Sequence, residues 1–543
     1  MDLFQSAEFS SHVEELLEEH HVPGVAVAIV QDQTIASAGY GKHALEPSQP
    51  CTADSLFDIA SVSKSLTAAS VGLLIADDEK FPQIQYEATM SSLLPDDFVL
   101  ASKQWTDSVT LEDVLSHRTG MPSHDLSYMN NGAAKPDDAR SVTRNLRNLQ
   151  FAAPIRTKYI YNNMMYTAAT HLVEKMTGLG FVEFLGQRFF EPLGMESSFL
   201  QPECPRGKGL KERIAVGYIW EKDSESYRPI PIIDTPEVQG ASSIVTSAND
   251  YIKWVKALMN KEGPITDDVY QELLKSRTLQ NPYGDDLRPF TSPAVYAAGW
   301  EIYYYRGHMV VAHEGCIPGF AAHHFFLPAF KFGAVIFANA NGGDKITSIL
   351  MQELIDAAIG LPEADRLDWN KVESEEGSDE SMSDEGSVDE VEEVRQELCP
   401  GIKESEGQKM PLEAYAGQYW NPGYHGMTVE VKDGGLFVDA TDRSMGFTLT
   451  FTHVSEQTKY IAHVRDMFEG GSAPIRAEFR FDNDKVTKMG LHLESEVDEY
   501  IWFDRAHEEE SAPTATEELA PEAAEESGWI VTEESEPMAT EGS

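Results

Sequence analysis

Phe57-Asp58-Ile59-Ala60-Ser61-Val62-Ser63-Lys64-Ser65-Leu66-Thr67-Ala68-Ala69 is the stretch from which the rest of the chain can be read. A serine stands three residues ahead of a lysine, and small and apolar residues follow through Ala76. A helix that is apolar on nearly every side lies in a core. The spacing predicts Ser61 in the first turn of that helix, with Lys64 at i+3 on the same face. A hydroxyl so placed has the positive end of the helix behind it and an amine beside it, and both favour an alkoxide. Ser61 is therefore read as a nucleophile. Ser-x-x-Lys alone arises by chance about once in a chain of this length, so the surrounding sequence has to agree with it.

Upstream, residues 10–20 form an amphipathic pattern with Val13, Leu16 and Leu17 on one side. Residues 22–30 are almost continuously apolar and rich in valine, the signature of a strand buried on both faces. Gln31-Asp32-Gln33 turns the chain into a second strand, 34–40. Downstream, helices are expected over 109–116, 165–176, 182–190 and 248–259. In the first of these Thr110 caps and Asp113 occupies the capping-box position. Four strands follow at 296–305, 309–313, 321–327 and 333–339, then a helix at 346–359. Strands at both ends with helices between them predict an α/β (α+β) fold. Its central antiparallel sheet draws on both ends of the region, with flanking helices and an inserted helical part.

At 543 residues the chain is too long for one core. The composition shifts after about residue 370: residues 373–393 hold eleven Asp or Glu and no Lys or Arg. Such a segment cannot bury enough apolar surface to order itself. Folding resumes near Leu412, where Asp433-Gly434-Gly435 and Asp482-Asn483-Asp484 each separate short alternating strands, as in a small all-β barrel or sandwich. Residues 506–543 carry twelve Glu without Lys or Arg. The expected organisation is a catalytic domain over 1–370, an acidic disordered linker over 371–409, a β-domain over 410–505 and an acidic disordered tail over 506–543.

The chain has 42 Lys and Arg against 90 Asp and Glu, a net charge of −48, which excludes nucleic acid and anionic membrane as natural partners. About half of that excess lies in the two acidic segments, so the folded part is only moderately acidic. No secretory signal or membrane-spanning run is recognisable. Cys51, Cys204, Cys316 and Cys399 are widely spaced and form no disulfide or Cys-x-x-Cys pattern, so a cytoplasmic, reducing setting is expected.

Four stretches together resemble the serine β-lactamase and penicillin-binding-protein superfamily, in its class C-like branch of esterases and D-aminopeptidases. They are Leu56 to Lys64; Leu115-Ser116-His117-Arg118-Thr119-Gly120-Met121-Pro122; Tyr159-Ile160-Tyr161-Asn162-Asn163-Met164-Met165-Tyr166; and His313-Glu314-Gly315-Cys316-Ile317-Pro318-Gly319-Phe320. Their order and spacing agree over about residues 8–362. Residues 411–505, entered through Tyr415-Ala416-Gly417 and Asn421-Pro422-Gly423-Tyr424, resemble the lipocalin-like barrel appended to some of these enzymes.

The resemblance implies a β-lactamase/transpeptidase-like fold and a site made of Ser61, Lys64 and Tyr161, with Asn163, His313, Gly315 and Cys316 binding substrate or its oxyanion. Tyr161-Asn162-Asn163 matches the Tyr-x-Asn motif. Either a desolvated Lys64 is the general base, or a charged Lys64 lowers the Tyr161 pKa so that the phenol serves. The main-chain N–H groups of Ser61 and Cys316 would form the oxyanion hole. β-Lactamases proper have Lys-Thr-Gly at the third motif, where this chain has His313-Glu314-Gly315. A histidine is only partly charged near neutral pH, which favours esters or amides without an obligatory carboxylate. His117 and Asp125 fall near the site and are read as structural. No metal or cofactor is called for, and the oligomeric state is left open. The expected activity is a serine hydrolase working through an acyl-enzyme. The alternatives are an acyltransferase using the same intermediate and an inactive binding protein that keeps the fold.

Overall fold

Gly24–Gln31 carries Val25, Val27 and Ile29 on one face and Ala26, Ala28 and Val30 on the other, since successive residues of a strand point to opposite sides. All six are buried, so both faces need a cover. The structure is a computed structural model describing residues 4–285, 287–376, 388–402, 404–483 and 485–506. In it the odd-numbered residues pack with helices Ala7–Glu19 and Gly343–Ala358. The even-numbered ones join the core that holds helices Lys64–Ala76 and Ala248–Asn260.

Gly24–Gln31 is paired on one side with Thr34–Ala44 and on the other with Phe332–Ala338, so that Val25 lies between Tyr40 and Ala338. The two ends of the region thus build the middle of one sheet, as expected. Among the described residues that sheet has nine strands. Their order is Gln49–Pro50, Thr34–Ala44, Gly24–Gln31, Phe332–Ala338, Phe320–Leu327, His308–Ile317, Glu301–Tyr305, Val295–Tyr296 and Thr278–Leu279.

Two strands differ from expectation in ways that matter to the site. The run 296–305 is broken into Val295–Tyr296 and Glu301–Tyr305. Between them Gly299 takes φ +72°, and a Cβ there would lie 2.7 Å from the Lys64 carbonyl oxygen. Only glycine lets this turn approach so closely. His308–Ile317 runs four residues beyond the expected end at His313, which takes the His-Glu-Gly motif into the sheet with Gly315 opposite Ala322.

The C-terminal region is a closed barrel of eight strands, from Gly417–Asn421 to Ile501–Arg505, the first paired with the last. Asp433 and Gly434 both have positive φ, the type I′ hairpin that their sequence predicts. The segment read as an acidic linker over 371–409 is folded in part. Trp369–Glu376 packs against Gly343–Ala358, with the Trp369 indole N–H donating to Asp356 at 2.9 Å. Val388–Leu398 lies on barrel strands Lys459–Asp466 and Ala473–Asp482, where Val391, Val394 and Leu398 join Val454 and Ile461. The linker reading weighed charge alone, whereas Val391, Val394 and Leu398 give this helix an apolar stripe at i, i+3, i+7. Residues 377–387 of that reading, and the tail beyond 506, lie outside the described residues. No helix among those described is long and apolar enough to cross a membrane.

Candidate active site

Phe57–Asp58 pairs with Ile244–Thr246, whose other neighbour is Phe199–Leu200. This small sheet holds the chain just ahead of Ser61. Ser61 lies in a 3₁₀ turn, Ala60–Ser63, and the α-helix proper begins at Lys64. The turn is entered through Ala60 at φ +46°, a left-handed conformation that costs a non-glycine residue about 1 kcal/mol. Asp58 steadies it by accepting the Ala60 N–H at 2.8 Å.

Lys64 is fully buried at the start of a helix that is itself buried through Leu74. Its Nζ lies 2.9 Å from Ser61 Oγ and donates to Asn163 Oδ1 at 2.7 Å and to the Ala241 carbonyl at 2.8 Å. The Tyr161 hydroxyl donates to Ser61 Oγ at 2.8 Å, and Lys64 Nζ stands 4.7 Å from the centre of the Tyr161 ring. Asn163 opens the helix Asn163–Thr177, which Asn162 caps by accepting the Met165 N–H. The Asn163 amide then donates to Asp125 Oδ2 at 3.0 Å. Asp125, Asn163, Lys64 and Ser61 thus form one hydrogen-bonded chain, with Tyr161 joining at its end.

Burial sets the charges. It pushes Lys64 down to about 7, while the nearby Asp125 carboxylate pulls the other way. It pushes the Tyr161 phenol well above its ordinary value and raises Asp125 to about 6. An amine near pH 7 is neutral part of the time and can take a proton; a phenol so perturbed stays protonated and can only donate.

The structure brings Ser61, Lys64, Tyr161 and Asn163 together, with Cys316 on the same pocket wall as Ser61. His313 is placed differently from the expectation. Its Nδ1–H donates to the Glu314 carbonyl at 2.6 Å, and its Nε2 accepts from the Tyr296 hydroxyl at 2.9 Å. Both nitrogens are spent on the protein, and burial takes the ring down to about 3. His313 is therefore a neutral buttress beside Tyr161 rather than a partly charged substrate ligand. Gly315 also serves the frame: a Cβ there would lie 2.5 Å from the Ile59 carbonyl oxygen and 2.9 Å from the Ser61 nitrogen.

Ser61 opens onto a cavity of about 260 Å³ whose walls are largely apolar, including Ile232, Ile233, Val238, Ile317 and Phe320. Asp58, Asp125 and Asp466 also line it, and no Lys, Arg or His does among the described residues. Part of the wall comes from the barrel, through Ser444, Met445, Asp466 and Phe468. Barrel residues also hold the loop that carries Asp125. Glu494 accepts the His124 N–H at 2.8 Å, Tyr424 donates to His124 Nδ1 at 2.7 Å, and the Ser444 N–H donates to the Tyr128 carbonyl at 3.1 Å. Sequence reasoning placed Asp125 near the site but read it as structural, since its one signal was a place in the loop after the Leu115–Pro122 motif. Nothing local marked the barrel residues.

Residues 9–357 match the family model described as Beta-lactamase, and residues 403–505 match one described as a domain of unknown function (DUF3471). The chain belongs to the beta-lactamase family. Among curated relatives of this beta-lactamase-family chain, the unguisins hydrolase ungD′ of Aspergillus campestris is 33% identical over 91% of each chain. A D-aminopeptidase of Gluconobacter oxydans is 25% identical over 63% of this chain and 59% of its own length. The octameric penicillin-binding protein homologue from Pyrococcus abyssi shares the fold, with a TM-score of 0.57 at 19% identity over 93% of this chain and 100% of that one. With hydrolases among its relatives, this family member is a serine hydrolase of ester or amide substrates.

Proposed function

We propose that the enzyme cleaves amide bonds of an apolar, peptide-like substrate through an acyl-enzyme on Ser61. The observation that carries this reading is the buried Lys64–Ser61–Tyr161 arrangement at the floor of an apolar cavity without lining cations. When Lys64 is neutral, its two N–H groups are committed to the oxygens of Asn163 and Ala241, which leaves its lone pair for the Ser61 proton. Ser61 then attacks the carbonyl, while the Tyr161 phenol donates to Oγ as negative charge gathers there. The N–H groups of Ser61 and Cys316 receive the oxyanion. The Lys64 ammonium returns its proton to the leaving nitrogen, and water activated by the same amine releases the acyl group.

Lys64 is favoured over Tyr161 as the base because burial destabilises the charged form of each, and that makes one a better base and the other a worse one. A β-lactam carboxylate would find no fixed positive charge in the cavity and three aspartates instead, which argues for uncharged or amine-bearing substrates. The names of the unguisins hydrolase and the D-aminopeptidase agree with hydrolysis of this kind. We take residues 1–370 and 410–505 as the two working domains. All four cysteines are free, which supports a reducing, cytoplasmic setting.

The test compares wild type and Ser61→Ala with a fluorescent phosphonate, a nitrophenyl acyl ester and a panel of apolar peptide amides. Labelling and amide turnover are expected in wild type only. Equal labelling of both proteins, or ester turnover with no amide turnover in wild type, would overturn the respective part of the proposal.

A further inference from the structure

Tyr161 is useful only if its hydroxyl stays on Ser61, yet it lies in a loop just before Asn163–Thr177 rather than in a regular element. What holds that loop is His117. The His117 carbonyl accepts the Ile160 N–H at 2.9 Å, and its imidazole Nδ1 accepts the Asn162 N–H at 3.0 Å. One residue therefore grips the main chain on both sides of Tyr161. His117 itself sits at φ +54°, a left-handed conformation that non-glycine residues take up rarely and that turns its main chain and side chain toward the same loop. Its ring lies 4.3 Å from the Tyr161 ring, centre to centre, and is enclosed by Tyr159, Tyr166 and Tyr296 at 4.6 to 5.7 Å. Accepting from Asn162 fixes the tautomer, so the proton is on Nε2. That nitrogen is buried without a hydrogen-bond partner among the described residues. A fully buried imidazole in this setting stays neutral, which keeps Nδ1 free to accept.

The geometry points to His117 as a positioning residue that clamps Tyr161 and holds its hydroxyl at hydrogen-bond distance from Ser61. It rests on the reading of Tyr161 as the proton donor to Oγ. His117 acts through Tyr161 rather than on Ser61 or the substrate, so its effect depends on the phenol being there. A residue that merely stabilised the fold would carry no such dependence.

The experiment is a double-mutant cycle on amide hydrolysis by the full chain, using wild type, His117→Phe, Tyr161→Phe and the double variant. Phenylalanine keeps a ring among the tyrosines and removes the acceptor for Asn162. His117→Phe is expected to lower kcat by about tenfold or more with KM within about twofold, since a displaced catalytic group costs turnover more than binding. In the Tyr161→Phe background the same change is expected to cost less than about twofold in kcat. An equal loss in both backgrounds, or no loss in either, would overturn the positioning role while leaving the assignment of Tyr161 standing. Full turnover by Tyr161→Phe would overturn that assignment and the inference with it. If circular dichroism finds His117→Phe unfolded, His117→Leu, which also removes the acceptor for Asn162, replaces it in the cycle. The dependence on Tyr161 is expected for that variant too, and a loss independent of Tyr161 overturns the inference.

Discussion

Replacing Asp125 by Asn removes one buried negative charge from the chain of groups that ends at Ser61, while the new side-chain oxygen can still accept from Asn163. The carboxylate reaches Lys64 through two hydrogen bonds, 3.0 Å to the Asn163 nitrogen and 2.7 Å from the Asn163 oxygen to Nζ. Across the intervening amide the two charges are on the order of 7 Å apart. With an effective dielectric constant of about 20, their attraction is roughly 2 kcal/mol, or about 1.5 pH units on the lysine. Asp125 favours the charged form of Lys64, so its removal must make the amine easier to deprotonate. In wild type the neutral amine is present above about 7 and is lost as pH falls through that value. The acid limb of kcat/KM is therefore expected near pH 7 in wild type and about 1.5 units lower in Asp125→Asn, measured with one amide substrate between about pH 4.5 and 9. Tyr161→Phe should lower kcat and leave the wild-type limb where it is. An Asp125→Asn limb that stays in place or moves upward would refute Lys64 as the titrating base, and so would loss of the limb in Tyr161→Phe.

Two further outcomes follow from close contacts and from the shared pocket wall. Gly315→Ala places a Cβ 2.5 Å from the Ile59 carbonyl and 2.9 Å from the Ser61 nitrogen, so the Ser61 turn must shift. Its kcat should fall by about a hundredfold, and a loss under about threefold in a folded protein would show that the turn yields freely. Phe468→Ala removes an apolar barrel residue from the cavity while the Phe468 carbonyl keeps its bond from Arg228. It should raise KM for bulky apolar substrates by about five- to thirtyfold, the worth of about 1 to 2 kcal/mol of lost apolar contact, with little change in kcat. An equal rise for a small polar ester would remove the barrel from substrate selection.

The parts of the site that were legible in sequence are those whose geometry is local. Ser61 and Lys64 are one turn apart, so their meeting needs only the backbone between them. The capping box of Thr110 and Asp113 and the hairpin at Asp433 and Gly434 are of the same kind. Tyr161 and Asn163 come from a hundred residues away, and only the resemblance of the four motifs announced them. Asp125 and the barrel residues had no such signature. The linker reading failed for a related reason: at Val388–Leu398 charge dominates the composition, while three apolar residues at helical spacing decide the packing.

The sequence by itself determined the two-sided sheet, the nearness of Ser61 to the Lys64 amine, and the β-domain that follows, because strand alternation, helical spacing and turn chemistry act over a few residues. Only the tertiary structure decided the protonation of that site. Burial lowers the Lys64 pKa and keeps the Tyr161 phenol protonated, and His313 becomes a neutral support because Tyr296 and the Glu314 carbonyl take its two nitrogens. Desolvation depends on what closes over a residue from distant parts of the chain. The cavity beside Ser61 likewise takes part of its wall from a barrel that begins more than three hundred residues later.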